Sequence, residues 1–268
     1  MPGQGSCPGK TRTGSRTRSK EMTMTALDQE VIAVHAAEEQ LRAQIRDAAI
    51  AKIGAQGFRT PIRAIAAAAG LSADVVIDLY GSKRNLLKAC DDHVVETIRT
   101  SKSQALQSRD PATWRAALAG IESYAPLMAY LVRSIEDGQS LADGLLDRMI
   151  ENVIDYLDDG VRAGTVKPSR NPRARAKFLA LSNAGGFLLY RHRHPTPRDM
   201  AAVLRDYAAD MIEPALELYS SGLMADTTML DALAEPLARQ RNGAHHRSLV
   251  PPASPDSTVN VPPTSPAR

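Results

Sequence analysis

Apolar residues recur at helical spacing along most of the chain, and no segment alternates apolar and polar positions as a half-buried strand does. Leu41, Ile45, Ala48, Ala49 and Ile53 stand at i, i+4, i+7, i+8 and i+12, one face of a helix. Gly57 ends that helix and Phe58 closes its core side. Thr60-Pro61 opens a second helix, with Thr60 as N-cap and Pro61 at the first helical position. Ile62, Ile65, Ala66 and Ala69 give its inner face. Gly70 closes it in a tight turn that needs a left-handed residue. Ser72 caps a short third helix that runs to Tyr80. Gly81-Ser82 breaks it, and Ser82 caps a long fourth helix whose inner stripe is Leu87, Cys90, Val94 and Ile98.

The pattern stays helical beyond residue 108. Asp110-Pro111, Asn171-Pro172 and Thr196-Pro197 each read as a cap followed by a first-turn proline. Helices are expected near 111–134, 141–163, 172–192, 197–221 and 227–241. The fold class is therefore all-α, with a helix-turn-helix segment at 38–84 and a larger helical body at 85–242. Residues 1–25 are rich in Gly, Ser, Thr and Arg, and the stretch from 243 onward is rich in Pro; neither has a period, and both are expected to be disordered.

Composition narrows the function classes. A 268-residue chain that is 43% hydrophobic can bury a large core, and its net charge of +3 permits an anionic partner without demanding one. Cys7 and Cys90 make no disulfide framework, which points to the cytoplasm. No apolar run approaches the roughly 20 residues that span a bilayer. No nucleophile–base pairing, zinc spacing or phosphate loop is present, so neither catalysis, metal nor cofactor is expected. His192 and His194 stand at i and i+2, which diverge on a helix and make a poor chelate. A lone Cys90 on an apolar stripe reads as core.

The informative segment is 41–99. Three short helices, the second rich in Ala, a Gly turn and a Ser-capped third helix make a helix-turn-helix. Ala48-Ala49, Gly57-Phe58, Thr60, Ile65-Ala66, Ala69-Gly70-Leu71-Ser72 and Tyr80-Gly81-Ser82-Lys83 followed by Leu86-Leu87 resemble the tetracycline-repressor family of transcription regulators, without gaps in spacing. The likeness covers roughly 60 residues.

The resemblance implies roles by position. Thr60 and Arg63 would lie near phosphate at the start of the second helix. Ser72, Ala73, Asp74, Val75, Ile77 and Asp78 would face DNA from the third, while Val76 and Tyr80 would turn into the core. Lys83 would hold a phosphate, helped by free N–H groups at the start of the fourth helix. Asp74 could accept from a cytosine amino group or simply favour its helix start, and Val75 or Ile77 could pack on thymine methyls. The family usually carries Tyr where Ile77 stands. Residues 72–80 hold no base, and nine basic residues against six acidic across 41–100 leave phosphate grip to Arg42, Arg46, Arg63, Lys83, Arg84 or the N-terminal stretch.

The helical body would hold a small, fairly apolar effector, with Tyr124, Met128, Leu131, Met149 and Tyr156 as candidate lining. Family analogy makes 172–192 and 197–221 a homodimer interface, through Phe178, Leu181, Ser182, Gly185, Leu189, Tyr207 and Met211; the same residues could instead pack within the chain. The expected partners are an operator in double-stranded DNA, the effector and a second copy, with no membrane. The expected function is a ligand-responsive repressor on a near-palindrome. The alternative is a helical small-molecule-binding protein whose DNA-binding segment is vestigial.

Overall fold

A computed structural model describes residues 15–138, 144–236 and 239, with side chains described from residue 28 onward. The expectations for residues 1–14, for 139–143 and for the tail from 243 lie outside the described residues. By its contacts the chain divides into one unit of Met1–Ile212 and a second of Glu213–Arg268.

The first unit is built of helices. α1 spans Ser15–Gln56. Residues 15–25 are therefore helical rather than irregular, and the reason is compositional: no Gly or Pro interrupts the chain between Gly14 and Gly54. Gly57 ends the helix in a left-handed conformation with φ 85°. α2 (Ile62–Ala68) follows, and Pro61 rather than Thr60 takes the N-cap position. Gly70, at φ 68°, lets Leu71 N–H return to the Ala66 carbonyl at 2.9 Å and reverses the chain.

α3 (Ala73–Tyr80) starts on the Ser72 hydroxyl, which accepts from Val75 N–H at 3.3 Å. α4 (Lys83–Gln107) starts likewise on Ser82, which accepts from Asn85 N–H at 3.2 Å. The segment expected as one helix over 111–134 is broken. α5 (Pro111–Ala119) ends at Gly120, a 3₁₀ turn covers Ile121–Tyr124, and α6 spans Ala125–Asp137. α7 (Leu145–Ala163) opens after Gly144, whose φ of 88° sets its start later than the expected 141, while α8 (Pro172–Arg193) keeps its expected frame, with Asn171 capping it by accepting from Ala174 N–H at 3.0 Å. α9 is Met200–Ser221, three residues later than Thr196-Pro197 suggested. Asp199 is the reason: its carboxylate accepts from Ala202 N–H at 3.1 Å and outcompetes Thr196 as the cap.

The main core joins the helix-turn-helix to the body. Ile45, Ala49 and Ile53 of α1, Ile65 and Ala66 of α2, Val76 of α3 and Cys90 and Val94 of α4 are buried in one cluster with Tyr130 and Leu131 of α6. It runs without a break across residues 84 and 85. A second cluster gathers Val132, Phe187, Met200, Val203 and Leu204, and a third gathers Ile150, Val153, Leu157, Ala176 and Ala180. α6 lies directly on α1: Arg133 Nε donates to the Gly54 carbonyl at 3.4 Å, and a Cβ on Gly54 would stand 2.9 Å from that of Ala129. α7 is tied to α4 by Arg148 on Asp92 at 2.6 Å and by Asn152 Nδ2 on the Val95 carbonyl at 2.7 Å.

The second unit holds the last turns of α9 and a short helical stretch at 228–236. Asp226 accepts from Thr228 N–H at 2.9 Å, and the Thr227 hydroxyl donates to Asp231 at 2.7 Å, which together start that stretch.

Cys90 is fully buried, and burial pushes its thiol up to about 12. It therefore stays a protonated, inert core side chain at neutral pH. In a Cys7→Ser background at pH 8, a disulfide labelling reagent should modify Cys90 only as fast as the protein opens, and at once in denaturant. Stoichiometric labelling of the native protein within seconds would contradict this.

Candidate nucleic-acid interface

The reading head is shaped by what α3 buries. Val76 is 1% exposed and anchors the helix, with Ala73, Leu79 and Tyr80 half-buried against the same cluster. The Tyr80 hydroxyl donates to the Arg42 carbonyl at 2.8 Å, and Arg42 donates back to the Leu79 carbonyl at 2.5 Å. α3 is thus pinned to α1 at its C-terminal end, and its opposite side presents Asp74, Ile77 and Asp78 to solvent. Ile77 is 40% exposed, and Val75 is half-buried beside it. Ser72 is exposed, but its hydroxyl is engaged in capping.

Two residues expected at phosphate are used differently. Thr60 is 4% exposed, and its hydroxyl donates to the Gly57 carbonyl at 2.7 Å, locking the turn between α1 and α2. It offers no free group to DNA. Lys83 donates from Nζ to the Phe58 carbonyl at 2.6 Å. Its ammonium ties the start of α4 to the turn between α1 and α2, and two of its three donors remain for another acceptor.

The remaining cations also divide. Arg42 is paired with Glu38 at 2.7 Å and lies over the Tyr80 ring, and Arg46 is paired with Asp47 at 2.8 Å. Arg63 and Arg84 are exposed and make no ion pair among the described residues. Arg59, exposed in the turn before α2, is a third such cation. Reading helix by helix passed over it because it belongs to no helix; the signal was its place one residue before Thr60-Pro61.

The effector candidates are spread over all three clusters. Leu131 is buried in the first, with Met149 beside it; Met128 borders the first and the second; Tyr124 belongs to the second and donates to the Ser101 hydroxyl at 3.0 Å; Tyr156 borders the third. Among the dimer candidates Phe178, Leu181, Leu189 and Met211 are 67%, 46%, 70% and 41% exposed. Ser182 shares that exposed side, and a Cβ on Gly185 would meet nothing within 4 Å. Tyr207 differs: it is half-buried and packs edge-on against Phe187 at 5.1 Å and Tyr190 at 5.2 Å, inside the second cluster. Its ring fills the gap between α8 and α9 of the same chain.

The histidines after Tyr190 form no chelate. His194 sits with its side chain 6% exposed, 3.1 Å from Asp206, and closes the end of α8. Among the described residues no group of three His, Cys, Asp or Glu side chains is placed to hold a metal, and no helix is long and apolar enough to cross a membrane.

Two family profiles match this architecture. Residues 45–90 match "Bacterial regulatory proteins, tetR family", and residues 122–225 match "Tetracyclin repressor-like, C-terminal domain". The HTH-type transcriptional regulatory protein RaaS of Mycobacterium tuberculosis is 56% identical over 213 residues, covering 80% of this chain and 99% of that one. Two solved structures are more distant. The TetR-family regulator PfmR of Thermus thermophilus is 21% identical, with a TM-score of 0.41, covering 68% of this chain and 96% of its own. A TetR-family regulator of Pectobacterium atrosepticum is 22% identical, with a TM-score of 0.40, covering 71% and 97%. Together, the two matched profiles and the identity to RaaS along nearly all of that protein's length show that this chain belongs to the tetracycline-repressor (TetR) family, as a DNA-binding transcription regulator of the helix-turn-helix type and not an enzyme.

Proposed function

We propose that the protein is a ligand-responsive repressor that binds a near-palindromic operator as a homodimer in the cytoplasm. The observation that supports this most is the single core shared by α1–α4 and α6. Interiors are close-packed and transmit displacement. An effector that rearranges α6 or α7 therefore shifts the reading head with it. A dimer would set two such heads about 34–36 Å apart, one turn of DNA. A state with another spacing loses operator affinity by the ligand's differential affinity for the two states. The effector would be small, and Tyr124, Met128, Leu131, Met149 and Tyr156 would border it.

In this reading Asp74, Ile77 and Asp78, with Val75, meet base edges, while Arg63, Arg84 and Arg59 grip phosphate. Lys83 adds one shared contact. The test is a mobility-shift titration on the intergenic DNA beside the protein's own gene. Arg63→Ala should weaken binding on every sequence and lower the salt slope by about one. Asp74→Asn should instead change which sequences bind. Lys83→Ala should lower both DNA affinity and melting temperature, since it also removes a charge-assisted bond to Phe58, a loss of about 1.5–3 kcal/mol. If Arg63→Ala and Arg84→Ala bind like the parent, the phosphate assignment is wrong.

A second reading is favoured by one observation: the exposed side of α3 carries two carboxylates and no cation. A helical small-molecule-binding protein with a vestigial head would show no salt-dependent binding to that DNA.

A further inference from the structure

α8 carries charge of one sign. It holds Arg173, Arg175, Lys177, Arg191 and Arg193 and no acid along its 22 residues. Three of the five are engaged within the chain: Arg173 pairs with Glu151, Arg191 pairs with Glu136, and Arg175 donates to the Lys167 carbonyl at 2.7 Å. Lys177 and Arg193 are exposed and make no ion pair among the described residues. Between them Phe178, Leu181 and Leu189 stand in water along about 16 Å of helix.

The second unit has the opposite sign. Residues 213–236 hold Glu213, Glu217, Asp226, Asp231 and Glu235 and no base. Gly222, at φ 80°, ends α9 and turns the chain into a segment that carries Leu223, Met224, Met229, Leu230 and Leu233, each at least 48% exposed. Five large apolar side chains left in water within eleven residues mark a surface that something covers. Glu217 is exposed and makes no ion pair among the described residues, and Glu235 meets Arg239 at 3.7 Å, an exposed pair worth little. The helical stretch at 228–236 is about 12 Å long, short enough to lie along the α8 stripe.

We infer that residues 217–236 of one copy lie on α8 of a second copy, with their apolar side chains on Phe178, Leu181 and Leu189 and their carboxylates toward Lys177 and Arg193. The inference rests on the reading of the protein as a homodimer. Charge argues for a second copy as the occupant. α8 laid on another α8 alone would bring bases to bases, whereas the acidic segment meets them with the opposite sign. Each copy offers both surfaces, so a two-fold pair makes the contact twice. Area argues the same way. An aromatic side chain buries about 150–250 Å² at most. Three partly exposed side chains on α8 therefore fall short of the roughly 800 Å² per partner that a stable interface takes, and the exchanged segments add to it.

Two charge-reversed chains make the test. One carries Lys177→Glu and Arg193→Glu, the other Glu217→Lys and Glu235→Lys. Sedimentation velocity from nanomolar concentration upward gives the dimer dissociation constant of the full-length parent, of each variant and of their equimolar mixture, and a thermal melt shows that each is folded. Each variant alone should dimerise about ten- to hundredfold more weakly than the parent. The mixture should regain the parent's association, because each reversed surface then meets a reversed partner. A segment folded onto its own α8 would gain nothing from mixing, so a mixture as weak as its components overturns the inference. Variants that dimerise like the parent overturn it too, and leave the homodimer itself standing. A parent that stays monomeric at every concentration removes the homodimer reading and the inference with it. If a reversed variant fails to fold, a chain ending at Gly222 takes its place: it should dimerise as weakly, and dimerisation like the parent's would overturn the inference.

Discussion

Tyr130→Ala should lower the unfolding free energy by about 3–5 kcal/mol, the cost of deleting a fully buried aromatic side chain. Tyr130 is 1% exposed and is the largest of the fully buried side chains among the described residues. Its ring meets Phe58 edge-on at 5.6 Å, and its hydroxyl donates to Asp91 at 2.7 Å. One side chain from α6 thereby touches the turn after α1 and the first half of α4. Tyr130→Phe keeps the ring and should cost only about 1 kcal/mol. Urea unfolding of both variants checks the pair. A loss below about 1 kcal/mol for the alanine variant would mean that head and body do not share a core, since a fully buried aromatic cannot be deleted from a packed core so cheaply.

Phe178→Glu combined with Leu189→Glu should convert the proposed dimer to monomers. Both side chains lie on α8, 67% and 70% exposed, on the side where the open Gly185 would let another backbone approach. Large apolar side chains left in water on one helix face are the usual mark of a covering partner. Burying two carboxylates there without partners should weaken association by at least about a hundredfold, the scale of hot-spot losses. Sedimentation velocity gives the mass, and a melt of the same sample shows that the protomer stays folded. Operator binding should fall with the dimer, because each half-site alone offers only half the contacts. A double variant that sediments like the parent would place the interface elsewhere.

Most of the frame was legible because it rests on local chemistry. Gly57, Gly70 and Gly81 needed a left-handed backbone, Ser72 and Ser82 needed only the N–H three residues on, and Asp110 and Asn171 likewise capped their own helices. What escaped the sequence reading depends on partners far along the chain. Lys83 looked like a free cation, but its acceptor is 25 residues earlier; Arg42 is held by a carbonyl 37 residues later. Thr60 looked like a cap, but the carbonyl of Gly57 drew its hydroxyl inward. Tyr207 has the spacing of a surface stripe, and only the packing of Phe187 and Tyr190 shows that its ring is taken within the chain.

The close approach of α1 and α6 also bears on how this lineage can change. A methyl group at position 54 would stand 2.9 Å from the Ala129 Cβ and 3.0 Å from the Tyr130 backbone nitrogen. Trimming Ala129 to glycine would relieve the first contact and leave the second, which belongs to the main chain. No single compensating substitution therefore opens position 54. Its glycine should persist among descendants while neighbouring surface positions drift. A branch that replaces it must re-seat α6, and with it the angle at which the reading head meets its DNA.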